Sequence, residues 1–172
     1  MTKLSLYLAS LLLGANFSPS VTATAPATAI TRQAVNLSEA EQRMMNLVNA
    51  ERWNNNLSTL SINPTLVETA RLHSREMAEK DYFDHISPAS ETETPMKRYL
   101  SQFGHRPTWA KLGENLYYCS MTDPNRGHRA LMESPRHREN MLDPDYNEIG
   151  VGVYTSDDGR FWVTQLYLSQ VK

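Results

Sequence analysis

The chain has 172 residues, 40% of them hydrophobic and 21% charged, with a formal net charge of −2. That length fits one domain, or one domain with an appendage. The charge balance lacks the large excess of Lys and Arg that a nucleic-acid surface needs to release counterions, and it is not acidic enough for a disordered chain.

The first residues, MTKLSLYLASLLLGANF, place one lysine at position 3 ahead of an apolar run from Leu4 to Phe17. SPSVTATAPATA follows, with small residues at A-x-A-like positions. This layout predicts a secretory signal over residues 1–23, cleaved after Ala23, and the run is too short for a comfortable membrane span. No cysteine follows the run, so a lipid-modified terminus is not expected. The expectation is an exported protein, extracellular or periplasmic, without a stable membrane anchor and acting as a monomer. Residues 24–36, rich in Ala, Thr and Pro, read as a linker, and residues 37–172 as one domain. Cys119 is the single cysteine, so no intramolecular disulfide can staple that domain, and the thiol reads as a small buried hydrophobe.

Ser38 with Glu41 forms a capping box that opens a helix carrying Met44, Leu47, Val48 and Glu51 on one stripe. Asn63-Pro64 opens a second helix, in which Leu66, Ala70, His73 and Met77 recur at helical spacing. His73 on that stripe reads as a satisfied core residue. DYFDHISP enters a loop, and Thr94-Pro95 starts a short helix with Gly104 as its expected C-cap. Asp123-Pro124 starts a helix toward Asn140 that Pro135 should kink or break. GENLYYC reads as a strand after a glycine, and NEIGVGVYTS–DDG–RFWVTQLYL as an antiparallel hairpin. Helices followed by strands, without regular βαβ alternation, predict an α+β domain.

No H-E-x-x-H, G-x-S-x-G, Walker, dinucleotide or EF-hand pattern is present. The residues left for chemistry are dispersed: His85 in a loop, Glu114 before a strand, and Glu133 and His137 about a helix end. Two imidazoles with carboxylates would suit Zn²⁺ with an open water position. The same residues without metal would form a hydrogen-bonded core network, which spacing alone ranks higher.

YFDHISP, GENLYY, SPRHRENML and EIGVGV…FWVTQLY occur in that order, with LVNAER and A-x-x-H-S-x-E-M-A ahead of them. Together they resemble the bacterial branch of the CAP superfamily, the SCP domains of cysteine-rich secretory, antigen 5 and pathogenesis-related proteins. The resemblance runs from about Ser38 to Leu168. It implies an α-β-α sandwich with a central antiparallel sheet and a cavity in which His85 faces Glu114. His137 matches a histidine at the bacterial helix end. Trp162 stands where some relatives have a strand histidine, so that role is not carried over. Arg136 replaces a usual glycine and Leu131 a usual tryptophan. The second family glutamate would fall near Ser134, which leaves Glu133 as a neighbouring candidate ligand. Asn140 is expected to bond the turn ending at Asp143-Pro144.

Three functions are open at this point. The first is a secreted binding module, with His85, Glu114 and His137 holding a divalent metal such as Zn²⁺ and a small ligand, lipid or cell-wall component engaged nearby. The second is a metal-dependent hydrolase, a peptidase or esterase, using the same cavity, with Ser87 an available hydroxyl. The third is a host-facing interaction protein working through loops such as SETETPMKRY and HRPTWAK. In the last of these Trp109, flanked by Arg106 and Lys111, is expected to be packed rather than exposed.

Overall fold

The computed structural model describes residues 35–103 and 107–171. The expected signal over residues 1–23, the linker up to residue 34, the Gly104 cap and Arg106 lie outside the described residues. Val35 and Asn36, assigned to the linker, touch the domain: Val35 packs on the core, and the Asn36 carbonyl accepts from Arg71 at 2.8 Å.

Helix α1 (Glu39–Asn54) begins at the capping box of Ser38 and Glu41, as the pattern predicts. Helix α2 (Pro64–Glu79) begins at Asn63, whose side chain accepts from the backbone N–H groups of Thr65 and Leu66. The two-residue strand β1 (Ser61–Ile62) precedes it. After a single 3₁₀ turn come α3 (Pro95–Phe103), β2 (Trp109–Cys119), α4 (Pro124–Glu133), α5 (Pro135–Leu142), β3 (Glu148–Thr155) and β4 (Phe161–Val171). The expected break is real. Ser134 is extended, with φ −87° and ψ 118°, because proline at position 135 disfavours helical backbone in the residue before it.

The sheet order is β1-β3-β4-β2. The three long strands are antiparallel, as expected, and β1 adds a short parallel pairing to β3 that the sequence does not announce. β2 begins at Trp109 rather than at the glycine, since it pairs with β4 along its whole length, from Trp109 opposite Val171 to Cys119 opposite Phe161.

Alternation along β4 separates two helical layers. Phe161, Val163 and Tyr167 join Met44, Met45 and Val48 of α1, Leu131 of α4 and Met141 of α5 in one cluster. Trp162, Leu166 and Leu168 face the opposite way, toward Leu66, Ala70 and Met77 of α2 and Tyr99 of α3. The result is the α-β-α sandwich, with α1, α4 and α5 on one face and α2 and α3 on the other. α2 lies so close on β3 that a Cβ at Gly150 or Gly152 would meet its backbone.

The buried Arg52 of α1 ties that helix to the end of α5 and to the loops before β1 and β3. Its guanidinium donates to the carbonyls of Ser58 at 2.8 Å, Met141 and Asp143 at 2.9 Å, and Tyr146 at 3.2 Å. Carbonyls in the last turn and C-cap of α5 and in two loops thereby gain a charged donor.

Candidate functional site

β2 is an edge strand, and its Gly113-Glu114-Asn115 segment serves both helical layers. Glu114 stands opposite Leu166 and so points to the α2/α3 face, while Asn115 stands opposite Gln165 and points to the α5 face. One residue of strand therefore switches the chemistry from charged to neutral.

On the α2/α3 face the Glu114 side chain is 2% exposed and both its oxygens are engaged. Oε2 accepts from Arg98 Nη2 at 2.7 Å. Oε1 accepts from His85 Nδ1 at 2.8 Å. Arg98, itself buried in α3, also donates to the His85 carbonyl at 3.1 Å and to the carbonyls of Thr92 and Glu93 at 3.2 Å. Its Nε is buried without a hydrogen-bond partner. The outcome is a chain from a buried guanidinium, through a buried carboxylate, to an imidazole whose side chain is 49% exposed. The hydrogen bond to Glu114 and its negative charge raise the His85 pKa against the opposing effect of burial.

On the other face Asn115 Nδ2 donates to the backbone carbonyl of His137 at 3.0 Å. Asn140 Nδ2 donates to the Glu114 carbonyl at 3.1 Å and to Asn115 Oδ1 at 2.9 Å. Asn140 thus bonds the strand, not the turn at Asp143-Pro144 expected from the sequence. These contacts explain Gly113, because a Cβ there would lie 2.6 Å from the Tyr146 hydroxyl and 2.9 Å from Asn140 Oδ1. His137 sits in the first turn of α5, partly buried. Burial lowers its pKa, and the charge of His85 lowers it further, so the two imidazoles sense each other around the strand edge.

Glu133 is placed differently. The extended Ser134 breaks the four-residue register that would have stacked it with His137. It lines a separate groove with Lys111, Arg138 and Asp145. Ser87 is buried, and its hydroxyl donates to Glu76 at 2.7 Å. Burial pushes the Glu76 carboxyl up, but hydrogen bonds from Lys80, Ser87 and Tyr82 outweigh this and hold it at about 2. His73 is the satisfied core residue expected, with Nε2 3.1 Å from the Asp84 carbonyl. Trp162 packs against Tyr118 with ring centroids 5.0 Å apart.

Among the described residues no group of three or more His, Cys, Asp and Glu side chains is arranged to hold a metal ion. Both Glu114 oxygens already accept hydrogen bonds, from His85 Nδ1 and Arg98, and a cation bound directly to Glu114 would sit beside a guanidinium. As placed, Glu114 is a hydrogen-bond partner of His85 rather than a free third ligand beside His85 and His137.

Two expectations outside the site are corrected. Trp109 is 51% exposed at the start of β2. Cys119 is partly exposed at its other end, and a hydrogen bond with Tyr117 lowers its thiol pKa. Both lie on an edge strand, which leaves its ends uncovered. Sequence reasoning missed Arg98 and Arg52. The only signal for Arg98 was indirect, since a buried carboxylate needs a cation.

A model of the cysteine-rich secretory protein family, CAP, matches residues 45–167. The uncharacterised protein YkwD of Bacillus subtilis is 36% identical over 146 residues, which cover 82% of this chain and 54% of YkwD. An extracellular SCP-domain protein of Bacillus anthracis superposes with a TM-score of 0.66 at 25% identity, over 80% of this chain and 45% of that one. An outer surface protein of Borrelia burgdorferi gives a TM-score of 0.68 at 21% identity, over 80% of this chain and 97% of that one. The chain therefore spans only part of the length of YkwD and of the Bacillus anthracis protein.

Proposed function

This chain belongs to the cysteine-rich secretory protein (CAP) family, and on that premise we propose that it is an extracellular binding protein. Its recognition element is the His85 imidazole, held by Glu114 and Arg98. One observation carries this reading: a carboxylate 2% exposed is held through one oxygen by Arg98 and orients, through the other, an imidazole that is 49% exposed. Such an arrangement presents a fixed hydrogen-bonding group to solvent with little ordering left to do on binding. An extracellular setting is supported by the signal-like first residues and by the extracellular and outer-surface relatives.

The ligand class is a small polar molecule or a cell-envelope component. Metal-dependent hydrolysis by His85, Glu114 and His137 has less support, because Arg98 occupies the carboxylate and Ser87 is committed to Glu76. The proposed binding is metal-free. The test is co-sedimentation of the purified protein with an isolated cell-envelope fraction, with and without EDTA. Wild type is expected in the pellet in both conditions and His85→Ala in the supernatant. Wild type remaining in the supernatant would refute the reading, and loss of binding in EDTA would restore the metal.

A further inference from the structure

Beside the polar site, the same face of β2 carries an aromatic cleft that the proposed function does not use. Tyr118 follows Glu114 by four residues on that face, about 13 Å further along at roughly 3.3 Å per residue. Loop 81–88 runs over both positions, bringing His85 to Glu114 and Phe83 to Tyr118. The Phe83 and Tyr118 ring centroids are 6.2 Å apart. Phe83 is 51% exposed and Tyr118 43%, while Trp162 is buried against Tyr118 as a floor. The cleft has a volume of about 230 Å³, with Asp81 and Arg160 at its rim. Arg160 stands 5.2 Å over the Trp162 ring and donates through Nε to Asp158.

These features discriminate among occupants. An acyl chain or sterol needs a longer and drier groove than 230 Å³ with two charged side chains at its edge. A quaternary ammonium ion would suit aromatic rings alone, but here it would meet the Arg160 cation already stacked on Trp162. A pyranose ring fits the size and the chemistry. Its C–H face carries the partial positive charge that the negative face of an aromatic ring attracts, and its hydroxyls can bond to Arg160 and Asp81.

We propose that the exposed rings of Phe83 and Tyr118, over the buried Trp162 floor, form a sugar-stacking subsite, and that the ligand is a glycan extending along β2 from this cleft to His85. The extension to His85 rests on the function proposed above, whereas the subsite stands on its own geometry. Phe83 and Tyr118 are exposed, so truncating either leaves the core intact.

Calorimetric titration of the full protein with cellotriose, maltotriose, chitotriose and choline tests this. Saturable binding of at least one trisaccharide is expected, weakened roughly tenfold or more by Phe83→Ala and by Tyr118→Ala. The remote Trp109→Ala should bind as wild type does. The proposal is overturned if no trisaccharide saturates the protein, if both aromatic variants bind like wild type, or if choline binds instead. Weakening by His85→Ala supports the extended path, and unchanged trisaccharide binding in that variant overturns the extension alone. Envelope binding that depends on His85, without binding of any trisaccharide, would leave the proposed function standing and remove this inference.

Discussion

Arg52 and Arg98 are both buried, at 0% and 4% exposure, yet they do different work. Arg52 spends its guanidinium on four backbone carbonyls, so its effect ends within the scaffold. Arg98 also binds carbonyls, but one of its acceptors is the Glu114 carboxylate, which passes the interaction on to a half-exposed imidazole. A buried cation becomes part of a candidate site when its acceptor has a second partner at the surface. Otherwise it is a clamp.

Substitutions can break this contrast in order of size. Arg52→Met should cost the most, about 5 kcal/mol in urea unfolding, because several carbonyls lose a charged donor at once. The His85 resonances of the variant that remains folded should not move. Arg98→Met should cost about 3 kcal/mol by leaving the Glu114 carboxylate buried without its cation. Here adding Glu114→Gln should recover part of the loss, and a double variant no more stable than the single one would deny the charge coupling. Asn140→Ala should cost about 2 kcal/mol, as the Glu114 carbonyl and Asn115 Oδ1 lose their donor. Because these bonds lie on the far face of β2, His85 should again be unaffected.

The scaffold is largely legible in the sequence because its punctuation is local. Ser38 with Glu41, Asn63-Pro64 and Pro135 each act within a few residues, so helix starts and the α4–α5 break follow from neighbours. Of the candidate site, the pairing of His85 with Glu114 is legible through motif order. Arg98 is not, since nothing near position 98 shows which of the 17 Lys and Arg residues reaches Glu114. Asn140 points to a nearby turn in the sequence for the same reason: its partners are 25 and 26 residues away. Trp109 and Cys119 read as interior on residue type alone. Their exposure follows from β2 being at the sheet edge, which only the strand order reveals.

The direct test of the central claim, that Glu114 couples the buried Arg98 to a surface imidazole, is an NMR pH titration of the His85 ring in wild type and Glu114→Gln. A folded-state pKa raised above 6.5 means that this contact adds stability below about pH 6.5 and loses it as pH rises through the raised value. With half the side chain in water that contribution is less than about 1 kcal/mol, so the titration reads it better than unfolding does. His85 is expected to titrate above 6.5 in wild type, with a protonated Nδ1, and to fall back in Glu114→Gln. A wild-type value at or below 6.5, unchanged by Glu114→Gln, would contradict the account.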